Sequence, residues 1–146
     1  MAAGTDVLEF GLDDERYCVD ISYVSEIIGL EELTSVPNTP DYVLGVMDLR
    51  GRSLQVRDPK RPFGVEGEPT GERVVVMSEA VGDEDTLAGW LVDTVHDVLT
   101  ARREDLDEEV DGKGVHGALR PEADEGDEAD DGGRMVIWVD PVEVFD

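Results

Sequence analysis

The sequence predicts a mainly β protein made of two small barrel subdomains. Three observations carry this. Short β-rich runs punctuated by turn residues fill most of the chain, and helical stretches are few. GRSLQVRDPKRPF, from Gly51, aligns with GRMVIWVDPVEVF, from Gly133, with Gly, Arg, Asp, Pro and Phe at matching places. Each copy follows a glycine-containing run, YVLGVMDLR or GVHGALR, so each reads as the closing part of a barrel. The polar stretch EGEPTGE, residues 66–72, is the obvious place to divide the two. The 146 residues suit one domain of two fused subdomains, whose termini can cross between barrels.

The elements follow in order. VLEFGL and RYCVDI flank the polar DDE and make a hairpin. In residues 22–30, SYVSEIIGL, the period changes: Val24, Ile27 and Ile28 stand at i, i+3 and i+4, the face of a short helix. Ser22 is placed to cap it and Gly29 to end it. LTSVP is a brief strand that stops at Pro37. Two apolar runs come next, joined at Arg50 and Gly51. The prolines of DPKRPFG make it a turn or loose helical corner. RVVVMSEAV is apolar at consecutive positions, as in a strand covered on both faces. TLAGWLVDTVHDVLTA divides into two strands near Asp93 and Thr94, and REDLDEEVDGKG is a charged connection. VHGALR and RMVIWVDP are strands, and PVEVFD closes the chain. Residues 121–133, PEADEGDEADDGG, are nearly all acid, glycine and alanine, which predicts a solvated, flexible loop. Lengthening such a loop costs little entropy.

The charge is extreme. Asp and Glu number 37 against 12 Lys and Arg, for a formal net charge of −25. Phosphate contacts need a basic face, so nucleic-acid binding is excluded as a function class. No apolar run reaches the roughly 18–20 residues of a membrane-spanning helix, and MAAGTDVLEF lacks the basic start and apolar core of a signal peptide. Cys18 is the one cysteine, which excludes an intrachain disulfide and a cysteine-based zinc site. These features predict a cytoplasmic protein without direct membrane insertion. Many acids, spread evenly, with only Lys60 and Lys113 as lysines, read as adaptation to a salt-loaded cytoplasm. A specific cation-binding or nucleic-acid-mimicking surface would concentrate them instead.

Catalytic chemistry is not visible. His96 lies in an alternating strand and His116 at a strand start, neither in a ligand pattern. Gly112, Gly114 and Gly117 formally spell G-x-G-x-x-G, but the preceding DEEVD would repel a pyrophosphate, so the stretch reads as a flexible loop. Residues 121–133 fit no EF-hand register. Cys18 sits in a strand as a core residue. The expectation is a protein without catalytic, cofactor or metal sites. An acidic metal-dependent hydrolase, the reading from another class, lacks a visible ligand set.

The order of motifs is similar to that of CheW-type chemotaxis coupling proteins. VLEFGLDDERYCVDI resembles the family's opening hairpin, and VSEIIGL its short helix with an internal glutamate. VPNTPDYVLGVMDLRG resembles its most distinctive segment, an Asn- and Pro-containing turn leading to a Leu-Arg-Gly tip. GWLVDTVHDVL resembles its Val-Asp step between two strands, and GGRMVIWVDPVEVF its closing strand and terminal helix. The correspondence runs nearly end to end, and the charge points to a member from a halophilic archaeon. The resemblance implies two SH3-like five-stranded barrels side by side in a single CheW-like domain spanning residues 1–146. It also implies a non-enzymatic adaptor. Its partners would be the cytoplasmic tip of a methyl-accepting chemoreceptor and the regulatory domain of a CheA-type histidine kinase, in arrays at the membrane. Arg50 matches the family arginine tied to receptor binding. A guanidinium is a rigid fork of five donors and can fix the register of a docked helix. Gly51 would let the chain turn beside it. Otherwise Arg50 braces its own hairpin against Asp48 or Asp93. Val24, Ile27, Val46, Leu49, Leu91, Val92 and Val95 would floor the receptor groove. Glu26, Gly45 and Arg57 would face the kinase. Asp48 stands where many relatives have Asn. Arg57 and Pro59 stand where they have apolar residues, so one barrel edge has changed. The alternative within this fold is a diverged paralogue, or a kinase regulatory-type module, that binds related barrels without receptors.

The charge generates a prediction. Self-repulsion destabilises a compact acidic chain, and molar salt shortens the Debye length to about 3 Å. Dilution toward about 0.1 M salt should therefore unfold the protein. A circular dichroism spectrum that stays constant over that range would overturn this reading of the acids.

Overall fold

The computed structural model describes residues 4–82, 86–109, 112, 114–119 and 135–145. Strands β1 (Thr5–Leu12) and β2 (Glu15–Asp20) make the opening hairpin, with Val7 opposite Asp20 and Leu12 opposite Glu15. Then come β3 (Val24–Gly29), β4 (Val43–Leu49) and β5 (Arg52–Arg57). A single helical turn, α1 (Lys60–Phe63), precedes β6 (Arg73–Met77) and β7 (Thr86–Val92). These five strands form one sheet in the order β3-β6-β7-β5-β4. The chain then returns through β8 (Thr94–Ala101), β9 (Leu106–Asp107), β10 (Val115–Leu119) and β11 (Val136–Val139), and ends in α2 (Pro141–Val144). The second sheet runs β8-β1-β2-β11-β10-β9. The two sheets are SH3-like barrels, one with five strands and one with six. The opening hairpin thus belongs with the closing strands. Residues 66–72 fall between α1 and β6, inside the run that builds the five-stranded sheet, and the chain leaves that sheet at Asp93.

The repeated sequence is a repeated structure. Each copy is a strand, an Asp-Pro corner, one helical turn and a phenylalanine. Asp58 and Asp140 each accept the backbone N–H two residues on, from Lys60 at 3.0 Å and Val142 at 2.9 Å. β5 runs parallel to β7, as β11 does to β2. Phe63 and Phe145 both meet Trp90 edge-on, at centroid distances of 6.1 and 5.3 Å.

Three expectations are corrected. Residues 24–29 are a strand, not a helix, and the 3₁₀ turn before them is capped by Asp20, which accepts the Ser22 N–H at 2.9 Å. β-Branched residues favour a strand here, a piece of two turns cannot hold a helix alone, and β6 supplies a full antiparallel partner. LTSVP contributes one bridge, Thr34 with Val46, rather than a strand. The charged connection after Ala101 contains a 3₁₀ turn and β9, which pairs with Ala118 and Leu119. The 121–133 segment lies outside the described residues.

The core follows from strand alternation. On β6, Val74 and Val76 point into the five-stranded barrel with Leu54, Val56 and Leu91. Val75 and Met77 point the other way, into a layer between the barrels. That layer holds Trp90 and Val92 from β7, and Phe10, Tyr17 and Val19 from the opening hairpin. A third cluster, Val7, Cys18, Ala101, Leu119 and Val136, fills the six-stranded barrel. Burial pushes the Cys18 thiol pKa far up, helped by the Glu9 charge, so this cysteine is inert packing.

Close packing at the joint between barrels needs Gly71. A Cβ there would lie 2.1 Å from the Val92 carbonyl oxygen, which is backbone and cannot step aside. Gly71→Ala should cost at least the roughly 1–3 kcal/mol of an overpacked site, read as a lower denaturant midpoint. An unchanged midpoint would contradict this packing.

Candidate functional site

Leu49 pairs with Arg52, so Arg50 and Gly51 form a two-residue hairpin loop. Both have positive φ, 51° and 87°. Such a turn favours Asn or Gly at its first position. An arginine held there costs on the order of 1–2 kcal/mol of backbone strain. The side chain therefore has a reason to be there, and it reaches across the barrel end to the Glu26 carboxylate on β3. Neither Asp48 nor Asp93 is its partner. Asp48 instead faces the Gly51 N–H at a long 3.4 Å. Beside this pair, Arg52 meets Glu79 at 3.1 Å. The two ion pairs rim a groove of about 300 Å³ that Leu49 and Leu87 help to line. Arg50 is 68% exposed, so its guanidinium remains open to a partner while paired.

The structure brings together Arg50, Gly51, Leu49 and Glu26, and sets the other expected residues elsewhere. Glu26 sits in a strand, turned toward the tip. Ile27 points outward from β3 and is exposed. Val24 and Val95 pack half-buried on the layer between barrels. Val92 has no exposed surface and Leu91 almost none, so both are core and cannot floor a groove. Val46 is half-buried, its backbone tied to Thr34. Gly45 is buried, and a Cβ there would stand 3.0 Å from Leu33 and Thr34, so close packing accounts for this glycine. Arg57 donates from Nε to Gln55 at 2.7 Å and lies over the rings of Tyr42 and Phe145, 5.8 and 5.3 Å from their centroids. It bridges β5 to the end of α2 instead of facing outward.

Sequence reasoning missed the Arg52–Glu79 pair and a buried lysine. Two arginines flanking one glycine, in so acidic a chain, was the available signal for the first. Lys60 is 3% exposed, and its Nζ meets Asp93 at 3.1 Å and Asp13 at 3.5 Å. It also donates to the Glu68 carbonyl at 2.9 Å. One of two lysines, placed between prolines, was the only hint in the sequence.

His96 Nε2 lies 3.0 Å from the Thr94 hydroxyl, and His116 meets the Trp138 ring edge at 5.3 Å. Among the described residues no group of three or more His, Cys, Asp and Glu is placed to hold a metal. No described helix is long and apolar enough to cross a membrane. Gly114 and Gly117 serve close packing rather than a flexible loop: Cβ atoms there would fall 2.9 Å from the Val144 nitrogen and 2.7 Å from the Asp107 carbonyl.

Residues 6–146 match the family model described as the CheW-like domain. The chain belongs to the CheW-like domain family. It is 36% identical over 104 residues to a chemotaxis protein CheW of Rhizobium meliloti, covering 70% of this chain and 65% of that protein. It is equally identical over 103 residues to CheW of Klebsiella aerogenes, covering 70% and 61%. The matched region thus spans somewhat less than two thirds of these relatives. CheW of Thermotoga maritima is 25% identical over 139 residues, covering 92% of this chain and 83% of that one. The crystal structure of a scaffolding protein, CheW of Thermoanaerobacter tengcongensis, superposes with a TM-score of 0.77 at 22% identity, over 100% of this chain and 90% of that one. That likeness shows the fold.

Proposed function

We propose that this chain is an adaptor that joins chemoreceptor cytoplasmic hairpins to a CheA-type histidine kinase, and that it performs no catalysis. One observation carries the reading. A strained arginine, at the tip that resembles the family's Leu-Arg-Gly, stands beside a groove that Leu49 and Leu87 help to line and is braced there by Glu26. Backbone strain maintained at an exposed tip marks a functional side chain. Bracing holds the fork in one orientation before a partner arrives, which lowers the ordering cost of binding. The receptor helix would lay apolar positions on Leu49 and its neighbours, and offer a carboxylate or helix C-terminal carbonyls to Arg50. The kinase regulatory domain would meet another barrel face. Arg57 acts as an internal brace, so the altered β5 edge changes packing rather than adding a docking charge. The site of action is the cytoplasm beside membrane receptors. The acidic surface suits a salt-loaded cell, such as that of a halophilic archaeon.

Co-sedimentation with a receptor hairpin and a kinase regulatory domain, in molar salt, tests this with wild type and Arg50→Ala. The exposed Arg50–Glu26 pair is worth about 0–1 kcal/mol, so the variant should keep nearly its full denaturant midpoint. It should lose the receptor and retain the kinase domain. Wild type that binds the kinase domain alone would favour a paralogue without receptor coupling. Wild type that binds neither would overturn the adaptor reading.

A further inference from the structure

Lys60 sits where the two barrels meet, and its three partners come from three segments. Lys60 itself follows β5 and belongs to the five-stranded barrel. Asp13 turns the β1–β2 hairpin of the six-stranded barrel. Asp93 is the residue at which the chain passes from one barrel to the other, and its Oδ2 also accepts the Asp13 N–H at 2.6 Å. Glu68 belongs to the connection between α1 and β6. That connection lies close on the same cluster: a Cβ at Gly67 would come 2.8 Å from Asp13 Oδ2.

We propose that Lys60 is a latch that fixes the angle between the two barrels, through one buried ammonium shared by Asp13, Asp93 and the Glu68 carbonyl. An ammonium has three donors and no acceptor, and here three acceptors face it. An arginine would replace this compact point charge with a longer, planar fork. Burial matters as much as number. Exposed ion pairs such as Arg52–Glu79 are screened at the salt concentrations this chain's charge requires, whereas counterions cannot surround a group this enclosed. The latch therefore loses less to molar salt than an exposed pair, above all at its Asp93 and Glu68 arms, since the Asp13 carboxylate is 47% exposed. It belongs to the fold, and stands whether or not Arg50 docks a receptor.

Alkaline pH opens the latch. Burial pulls the Lys60 pKa down, but the bond and charge of Asp93, with the charge of Asp13, outweigh it, and the net direction is upward from 10.5. Ionisable groups around it also include Asp58, whose carboxyl burial pushes up against the pull of Lys60, Arg61 on the same helical turn, and Glu66 and Glu68 lining the pocket beside it. A group whose pKa is raised on folding stabilises fully below its ordinary value. The contribution is lost as pH climbs through the raised one.

The test is a pair of spin labels, one on each barrel, at the exposed positions Ser53→Cys and Asp97→Cys in a Cys18→Ala background. Pulsed dipolar spectroscopy then reads the distance distribution between barrels. Wild type should give one narrow distribution that does not change across molar salt concentrations. Lys60→Met should broaden it and shift its mean, while circular dichroism shows both barrels still folded. Raising the pH above the lysine range should broaden wild type and leave Lys60→Met as it was. A merely structural Lys60 would lower the denaturant midpoint without moving the distribution, and that result overturns the latch. If Lys60→Met does not fold, Asp13→Asn removes the most exposed arm alone. It must broaden the distribution, and an unchanged one overturns the proposal equally.

Discussion

Two strands covered on both faces hold this molecule together. Side chains on β6 and β7 alternate between the interior of one barrel and the layer shared with the other. Val74, Val76 and Leu91 serve the first, and Val75, Met77, Trp90 and Val92 serve the second. Neither barrel could be removed without exposing one face of the same wall. Each buried aliphatic or aromatic side chain contributes about 1.5–3 kcal/mol, so the shared layer is where separation of the barrels would cost most. Trp90 is its centre. Phe10, Phe63 and Phe145 meet it edge-on, and they come from the opening hairpin and from both copies of the repeat. The wall explains the threading too. The opening hairpin must lie across from β6 and β7, which draws the first strands of the chain into the same sheet as the last.

A rigid joint would give the proposed docking tip its meaning. Arg50 occupies one end of the five-stranded barrel, on a hairpin too short to wander. Its orientation relative to the six-stranded barrel is inherited from the shared layer, from Lys60 and from the Arg57 stack on Tyr42 and Phe145. The proposed adaptor, with two partners, would need such inheritance, because a flexible joint would lower the effective concentration of the second contact. Strain and bracing at the tip would then act locally, on the platform the proposed latch fixes.

Much of this was legible in residues 51–63 and 133–145, because an Asp-Pro corner and a terminal phenylalanine report their own local geometry. The consecutive apolar run of β6 announced burial on both faces. The Leu49-Arg50-Gly51 tip was legible as a tip, though not its partner, since Glu26 lies 24 residues away. Residues 22–30 misled for a definite reason. Burial along β3 alternates strictly, with Val24 and Ile28 on the half-buried face. Ile27 lies on the other face, apolar but exposed. Added to Val24 and Ile28, it imitates helical spacing. Val92 and Leu91 were read as groove because apolar strand residues look alike in sequence, and only the second sheet decides which face is sealed. Lys60 was illegible, because nothing local marks a lysine whose partners are an earlier turn, a later corner and a backbone carbonyl.

Native-state hydrogen exchange tests the shared wall most directly. The account predicts that amides of β1 and β2 in one sheet, and of β6 and β7 in the other, exchange with one common free energy equal to that of global unfolding. Exchange of the β1–β2 amides at a clearly lower free energy, with β6 and β7 still protected, would mean that the six-stranded barrel opens alone. That result would contradict a single unit built around Trp90.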